Sequence, residues 1–425
     1  MPTRNGHFLD KFFHPEHLAI VGASGNPASF NYIMLNNLVV RGFKGRVYPV
    51  NPRGGAMQGL PVYPDVKSID GPVDLAVISV PYLRTLDVVK DCVAKGVKLV
   101  AITAGGFSEA GPEGRALQKA LADLVRENDI RAVGPNALSP YNTAVNLAIS
   151  FNPVPQMKQG ELSLIFQSGL YEVRLTRLIS DANLHLAKLI DLGNKMDVNE
   201  VDAFSYLADD PATRVIGIHL ESIEGDGREF LRLIRKASAE KHVVVLKSGR
   251  TSAGARAAAS HTGVIVQGSD LVFDGALRQA GAIRAANIEE FFEIAQALER
   301  FGPLRLNGDR IAISTFPGGE AVVTTDLCYL NGLSMAAPGE ATRKKIAAIS
   351  PPWEVPANPY DLGLCSQFHD FRTMIRTYAE AMAVDPGVDG LAMEVIELIL
   401  YPELCMDLAP LIEARKPLAF WVPGL

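Results

Sequence analysis

The sequence predicts an α/β protein: a Rossmann-like N-terminal domain followed by two flavodoxin-like, doubly wound parallel-sheet domains. Three observations predict it. Short apolar runs rich in β-branched residues alternate with longer helix-like stretches along the whole chain. The runs are continuously apolar rather than alternating, as strands buried on both faces of a parallel sheet are. The later two thirds of the chain repeat one succession of motifs, the mark of two copies of one fold. Residues 1–150, 156–303 and 306–425 are the expected domains.

In the first domain the runs are HLAIVGAS (17–24), GRVYPVNP (45–52), DLAVISVP (74–81), KLVAITAGG (98–106) and IRAVGP (130–135), five strands of one sheet. NPVPQMKQGE (152–161), with two prolines and polar residues, reads as a linker. The second block then runs LSLIFQSG (162–169), DLGNKMDVNEVD (191–202), LADDPATRVIGIHLE (207–221) and HVVVLKSG (242–249). The third runs RIAISTFPGG (310–319), NPYDLG (358–363), AVDPGVDGLAMEV (383–395) and RKPLAFWVPG (415–424). Each has a strand ending in glycine, a DLG turn, an Asp-Pro before a strand carrying a glutamate, and a last strand ending in glycine. The second copy continues to a further helix near 286–301, whereas the third reaches Leu425 one residue past its matching glycine. The expectation is a longer polypeptide.

Composition narrows the function. The chain has 425 residues, 48% of them hydrophobic, enough for several cores. A net charge of −6 excludes the basic footprint that nucleic-acid binding needs. The four cysteines (Cys92, Cys328, Cys365, Cys405) form no CxxC pair, so neither a disulfide framework nor a zinc site is expected. With no signal peptide and no run of ~18 apolar residues, the expectation is a soluble cytoplasmic protein without a membrane role. No metal ligands are expected in the chain itself.

The chemistry-bearing motifs fall at strand ends. In AIVGASGNPAS (19–29), Gly22, Ser24 and Gly25 form a small-residue turn into a helix, where backbone N–H groups approach a phosphate. The spacing is not GxGxxG, and the next strand ends in Asn51, Pro52 and Arg53 where an NAD site offers a carboxylate to the ribose. A basic residue there suits a nucleotide with an extra ribose phosphate, NADP or coenzyme A. Val80 and Pro81, with Thr103 and Gly105, share the same carboxyl edge of the sheet, where ligands bind in open α/β folds. FQSG (166–169) offers Ser168 and Gly169 as an anion site at a helix start. The GxSxG elbow of a serine nucleophile is absent.

The AAASHTGV stretch (257–264) surrounds His261 with side chains too small to obstruct it. A histidine that accepts a phosphoryl group needs that clearance and neighbouring dipoles for the transferred charge, here at Thr262 and Gly263. It also needs a carboxylate on its other nitrogen. Glu221, at the end of VIGIHLE, is the candidate.

Taken in order, GFKGRVYPVNPR, ITAGGFSEAG, GPN, FQSG, GNKMDVNEVD, LADDP, LKSGRTSAGARAAASHTG and NPYDLG resemble the NDP-forming (ADP-forming) acyl-CoA synthetase family over nearly the whole chain. The resemblance implies a CoA-binding domain and two succinyl-CoA-synthetase-like flavodoxin domains. It implies that His261 is the phosphohistidine and Glu221 its stabilising carboxylate. Gly22, Ala23, Ser24, Asn51, Pro52, Arg53, Val80, Pro81, Thr103 and Gly105 fall on its CoA contacts. Ser168 and Gly169, with Thr262 and Gly263, fall on its phosphate contacts. The implied cofactors are CoA, and ATP/ADP with Mg²⁺ held by ATP-grasp domains, which nothing in the chain resembles. The implied partners are an ATP-grasp β-type subunit or fused domain and a carboxylic acid, in a homodimer or an α2β2 assembly.

Besides the missing ATP-grasp domains, two places depart from the family. LYEVRL follows Gly169 where acetyl-CoA relatives carry small residues, so Tyr171 and Glu172 point toward the succinyl branch. Ala137 and Ser139 stand where the family commonly has Cys and Gly. The expected activity is an acid–thiol ligase. The alternatives are a CoA-binding regulatory or acyltransferase scaffold, which a retained His261 opposes, and an NADP-dependent oxidoreductase, which the missing third glycine opposes.

Overall fold

The computed structural model describes residues 6–254, 256, 269–302, 306–353, 357–395 and 402–421. The chain divides into two compact units, Met1–Arg300 and Phe301–Leu425. Among its described residues the first unit contains two large sheets and a small hairpin that pairs Ala56–Met57 with Leu60–Pro61. Strands β1 (His17–Val21), β2 (Arg46–Val50), β3 (Leu75–Ile78), β4 (Leu99–Ile102) and β5 (Arg131–Val133) form one parallel sheet in the order β2-β1-β3-β4-β5. All four residues of β3 and of β4 are buried, the reason these runs carry no polar alternation. Between β1 and β3 the chain changes direction across the sheet, so their carboxyl ends open the crevice where such folds bind ligands.

The second sheet runs β12-β11-β10-β8-β9-β6-β7. These are β6 (Tyr141–Asn142), β7 (Leu147–Ala148), β8 (Lys158–Phe166), β9 (His185–Asp191), β10 (Val215–Leu220), β11 (His242–Lys247) and β12 (Ile283–Ala285). β8 to β12 are parallel, in the 2-1-3-4-5 order of a flavodoxin-like domain. β6 and β7 form an antiparallel hairpin on its edge, with Lys188 opposite Asn142. Residues 141–148, grouped by sequence with the first domain, thus pair in the second sheet. The linker region is also not free: β8 already begins at Lys158. The Asn37 side chain, on the helix Phe30–Arg41, donates to the Asn152 carbonyl (2.9 Å) and accepts from the Val154 N–H (3.1 Å).

The two sheets of this unit are tied through the DLG turn. Gly193 has φ +53°, and a Cβ there would lie 2.2 Å from the Pro135 carbonyl oxygen, so only glycine admits the contact. Around it, the Asn194 and Met196 N–H groups donate to Pro135 and Gly134 carbonyls, and Arg131 forks across Asp197 and Asp202 at 3.0 and 3.1 Å.

The second unit repeats the pattern with one break. Its strands are β13 (Arg310–Thr315), β14 (Ser334–Met335), β15 (Tyr360–Asp361), β16 (Gly390–Glu394) and β17 (Leu418–Trp421). Among the described residues the order is β14-β13-β16-β17, which is 2-1-3-4. The second strand is split: Ser334–Met335 pairs with the start of β13, and Tyr360–Asp361 with its end. Thr315 faces Asp361 as Phe166 faces Asp191, so the two DLG turns are equivalent. Ser314 pairs with Met393 as Ile165 pairs with Ile218, which sets Glu394 level with His219. The two glutamates of the sequence repeat therefore lie one pleat apart. Glu394 ends its strand at 1% exposure, and burial raises its pKa, whereas Glu221 follows its strand.

Candidate active site

The crevice at the ends of β1 and β3 is built around Gly22. Its φ is +93°, and a Cβ would sit 2.1 Å from the Ser79 carbonyl oxygen. Asn31, on the helix that follows, donates from Nδ2 to the Gly22 and Ser79 carbonyls (2.7 and 2.8 Å), and accepts from the Ser79 hydroxyl at 2.7 Å. This residue was not singled out by sequence, although it lies within the helix that the turn introduces. The Asn51 side chain donates to the Ala23 carbonyl (2.9 Å) and accepts from the Arg53 N–H (3.0 Å), so it joins the two turns. Ser29 caps the helix start by accepting from the Asn31 N–H. Ala23 is buried, Ser24 half-buried, and Pro52, Arg53, Pro81 and Gly105 are exposed around the opening, with Val80 half-buried. The Thr103 hydroxyl donates to the Ile78 carbonyl, so it serves the sheet rather than facing the crevice alone. Gly22→Ala should combine left-handed strain with a backbone clash, roughly 1–3 kcal/mol from each. Thermal melting of the variant will show it, together with loss of ligand affinity in the crevice.

The second constellation lies at the ends of β8, β10 and β11. Gln167, between β8 and Ser168, accepts from the Glu221 and Ser222 N–H groups at 2.9 and 3.2 Å. The Ser168–Gly169 turn and Glu221 are thereby neighbours, and the helix Leu170–Asp181 starts at that turn. Lys247, the last residue of β11, donates to the Glu221 carbonyl at 2.8 Å, and burial lowers its pKa. Past it the chain runs through Ser248 and Gly249 toward the AAASHTGV stretch. His261, Thr262 and Gly263 lie outside the described residues. A cavity of ≈ 650 Å³ opens beside this exit, lined by Lys247, Gly249, Arg250, Ser269 and Asp270 and by apolar side chains such as Phe230 and Phe273.

Two further side chains define the surroundings. His219, next but one before Glu221, donates or accepts with the Ser248 hydroxyl at 2.7 Å. Burial, reinforced by Lys247 and Lys195, drives its pKa to about 3, so it is a neutral structural residue. Tyr171 is 3% exposed, stacked on Phe166 (4.4 Å between centroids) and tilted against His219 (4.6 Å). It is part of this domain's packed interior. The Gly105–Gly106 loop and the Glu221 loop also share one brace. Glu109 accepts from the Gly106 N–H (2.7 Å) and from Asn194 Nδ2 (2.7 Å), and Asn194 adjoins Lys195, which reaches Ser222. Among the described residues no group of three or more His, Cys, Asp or Glu side chains is arranged to hold a metal ion, and no helix is long and apolar enough to cross a membrane.

Comparison with known proteins places these crevices in a family. Residues 16–141 match the CoA binding domain and residues 159–298 the succinyl-CoA ligase like flavodoxin domain. The subunit alpha of acetate–CoA ligase [ADP-forming] II of Pyrococcus furiosus is 36% identical over 382 residues, 90% of this chain and 81% of that one. Acetate–CoA ligase [ADP-forming] II of Archaeoglobus fulgidus is 33% identical over 419 residues, 98% of this chain. The chain spans 61% of that relative's length. In structure, acetyl-coenzyme A synthetase 1 of Ca. Korarchaeum cryptofilum, solved with phosphate and ADP, superposes with a TM-score of 0.86. It is 32% identical, and the match covers 97% of this chain and 88% of that one. The chain belongs to the ADP-forming acyl-CoA synthetase family and corresponds to its α-subunit part.

Proposed function

We propose that this chain is the CoA-binding and phosphohistidine-bearing part of an acid–thiol ligase: carboxylic acid + CoA + ATP ⇌ acyl-CoA + ADP + phosphate. In this reading His261 accepts the γ-phosphoryl group of ATP. The group passes to the acid as an acyl phosphate, and the CoA thiol displaces phosphate from it. A series of easier transfers replaces one hard condensation. The observation that carries the reading is the meeting, at one sheet edge, of the Ser168–Gly169 helix start, Glu221, and the strand that leads into the His261 loop. An oriented helix start stabilises a phosphoryl anion, and a carboxylate stabilises the cationic imidazole that carries it. ATP and Mg²⁺ are then held by an ATP-grasp module, as a separate subunit or fused, and the whole works in the cytoplasm as a homodimer or an α2β2 assembly. Gly22 and its neighbours accommodate the pyrophosphate of CoA, since the turn lets the backbone approach a ligand closely.

Calorimetry with CoA, dephospho-CoA and NADP tests the nucleotide side. CoA should bind, and dephospho-CoA should bind about tenfold more weakly. Arg53 is exposed, so its contact to a phosphate is worth about 1.5 kcal/mol, the low end for a charged hydrogen bond. Arg53→Ala should erase that difference. Tighter binding of NADP than of CoA would overturn the reading, and equal affinity for CoA and dephospho-CoA would remove the Arg53 role.

A further inference from the structure

We infer that Lys195 is a positioning residue for Glu221, acting through a wholly buried clamp on the loop that carries it. Lys195 and Glu200 are paired at 3.0 Å, and both side chains have 0% exposure. From this position Lys195 Nζ donates to the Ser222 carbonyl at 2.8 Å and to its hydroxyl at 3.0 Å. Glu200 Oε1 accepts from the Glu224 and Gly225 N–H groups, each at 2.8 Å. Gln167 holds the Glu221 and Ser222 N–H groups from the other side. With Lys247 on the Glu221 carbonyl, four side chains from three separate segments therefore hold the backbone from 221 to 225.

Nothing in the packing demands an ion pair here. An apolar pair of similar volume satisfies a core as well, and burying two charges is costly unless every group is bonded. Lys195 also keeps a left-handed backbone, φ +52°, which a lysine adopts at a cost in strain. What the pair supplies, and an apolar pair cannot, is a fixed set of bonds to the peptide groups following Glu221. A carboxylate that must meet an imidazole nitrogen as the phosphoryl group arrives needs such a mount.

The inference rests on the reading of Glu221 as the partner of phosphorylated His261. The test uses the full protein with its ATP-grasp module, comparing wild type, E221Q and K195M, with active sites counted by CoA titration. K195M should keep its KM for CoA while kcat falls about tenfold or more. Its phosphohistidine should decay faster than wild type, toward the E221Q lifetime, and amide exchange should quicken at 221–225. If K195M does not fold, K195M/E200Q is read in the same way, because the amide oxygen still accepts from Glu224 and Gly225 and no charge is left unpaired. A folded variant with wild-type kcat and phosphohistidine lifetime would overturn the role of Lys195. A wild-type protein that never forms phosphohistidine would instead overturn the ligase reading, and an unchanged lifetime in E221Q would remove Glu221.

Discussion

His261→Ala will take no label from radioactive ATP when the ATP-grasp module is present, and acyl-CoA synthesis will fall by on the order of 10⁴-fold or more. Removal of a covalent nucleophile is the most costly single change a group-transfer site can suffer, with losses near 10⁶ at the extreme. The wild-type adduct should be labile in acid and stable in base, as a phosphohistidine is and a phosphoserine is not. CoA affinity should be unchanged in the variant, because the crevice proposed for CoA lies at the ends of β1 and β3, on a different sheet from β11, the strand that precedes the His261 stretch in sequence. Retained label, or full ligase activity, would remove His261 from the mechanism.

Asp210→Ala should cost about 3–5 kcal/mol of stability, the usual loss when one member of a buried ion pair is removed. Lys188 on β9 meets Asp210 at 2.6 Å with side chains 3% and 5% exposed, and the Thr213 hydroxyl donates to the same carboxylate at 2.7 Å. Alanine would leave the ammonium of Lys188 buried and uncompensated. Replacing both partners, as K188M/D210L, should be far milder. The same pair sets a pH dependence. Burial pushes the Asp210 carboxyl up, but the Lys188 charge and the hydrogen bonds from Lys188 and Thr213 outweigh it, so its folded pKa is lowered. A lowered folded pKa contributes stability that is present above the unfolded value of about 3.9 and is lost as pH falls through the folded value. Urea unfolding followed between neutral pH and pH 3 should show this decline in the wild type and a flatter profile in K188M/D210L. Equal slopes would dissociate the pair from acid sensitivity.

Much of the architecture was legible because it is written in contiguous residues. LAIV (18–21), LAVI and LVAI are continuously apolar because both faces of a parallel strand are covered, and that requirement acts on each run separately. The crevice proposed for CoA rests on the same local logic. A small-residue turn after a strand and a basic residue after the next one mark a phosphate-bearing ligand wherever the strands are finally placed. What escaped was the partner of each polar side chain. Lys195 and Glu200 stand five residues apart in a charged, glycine-bearing segment, and nothing local in it shows that both side chains are wholly buried. Asn31 and Gln167 read as an ordinary helix residue and an ordinary loop residue, yet each joins two strand ends. Their partners lie as far as 48 and 55 residues away in the chain.

By itself, then, the sequence determined the class of the fold, the succession of strands, the turns that must be glycine or small, and the family to which the chain belongs. These depend on local backbone freedom and on which residues cannot face water. Tertiary structure alone decided that residues 141–148 extend the second sheet, that the edge strand of the third is broken in two, and that Glu394 matches His219 rather than Glu221. It alone decided which charges are buried together. Strand register and ion pairing are choices among distant partners, made by the packing of the whole domain, and no stretch of chain carries them alone.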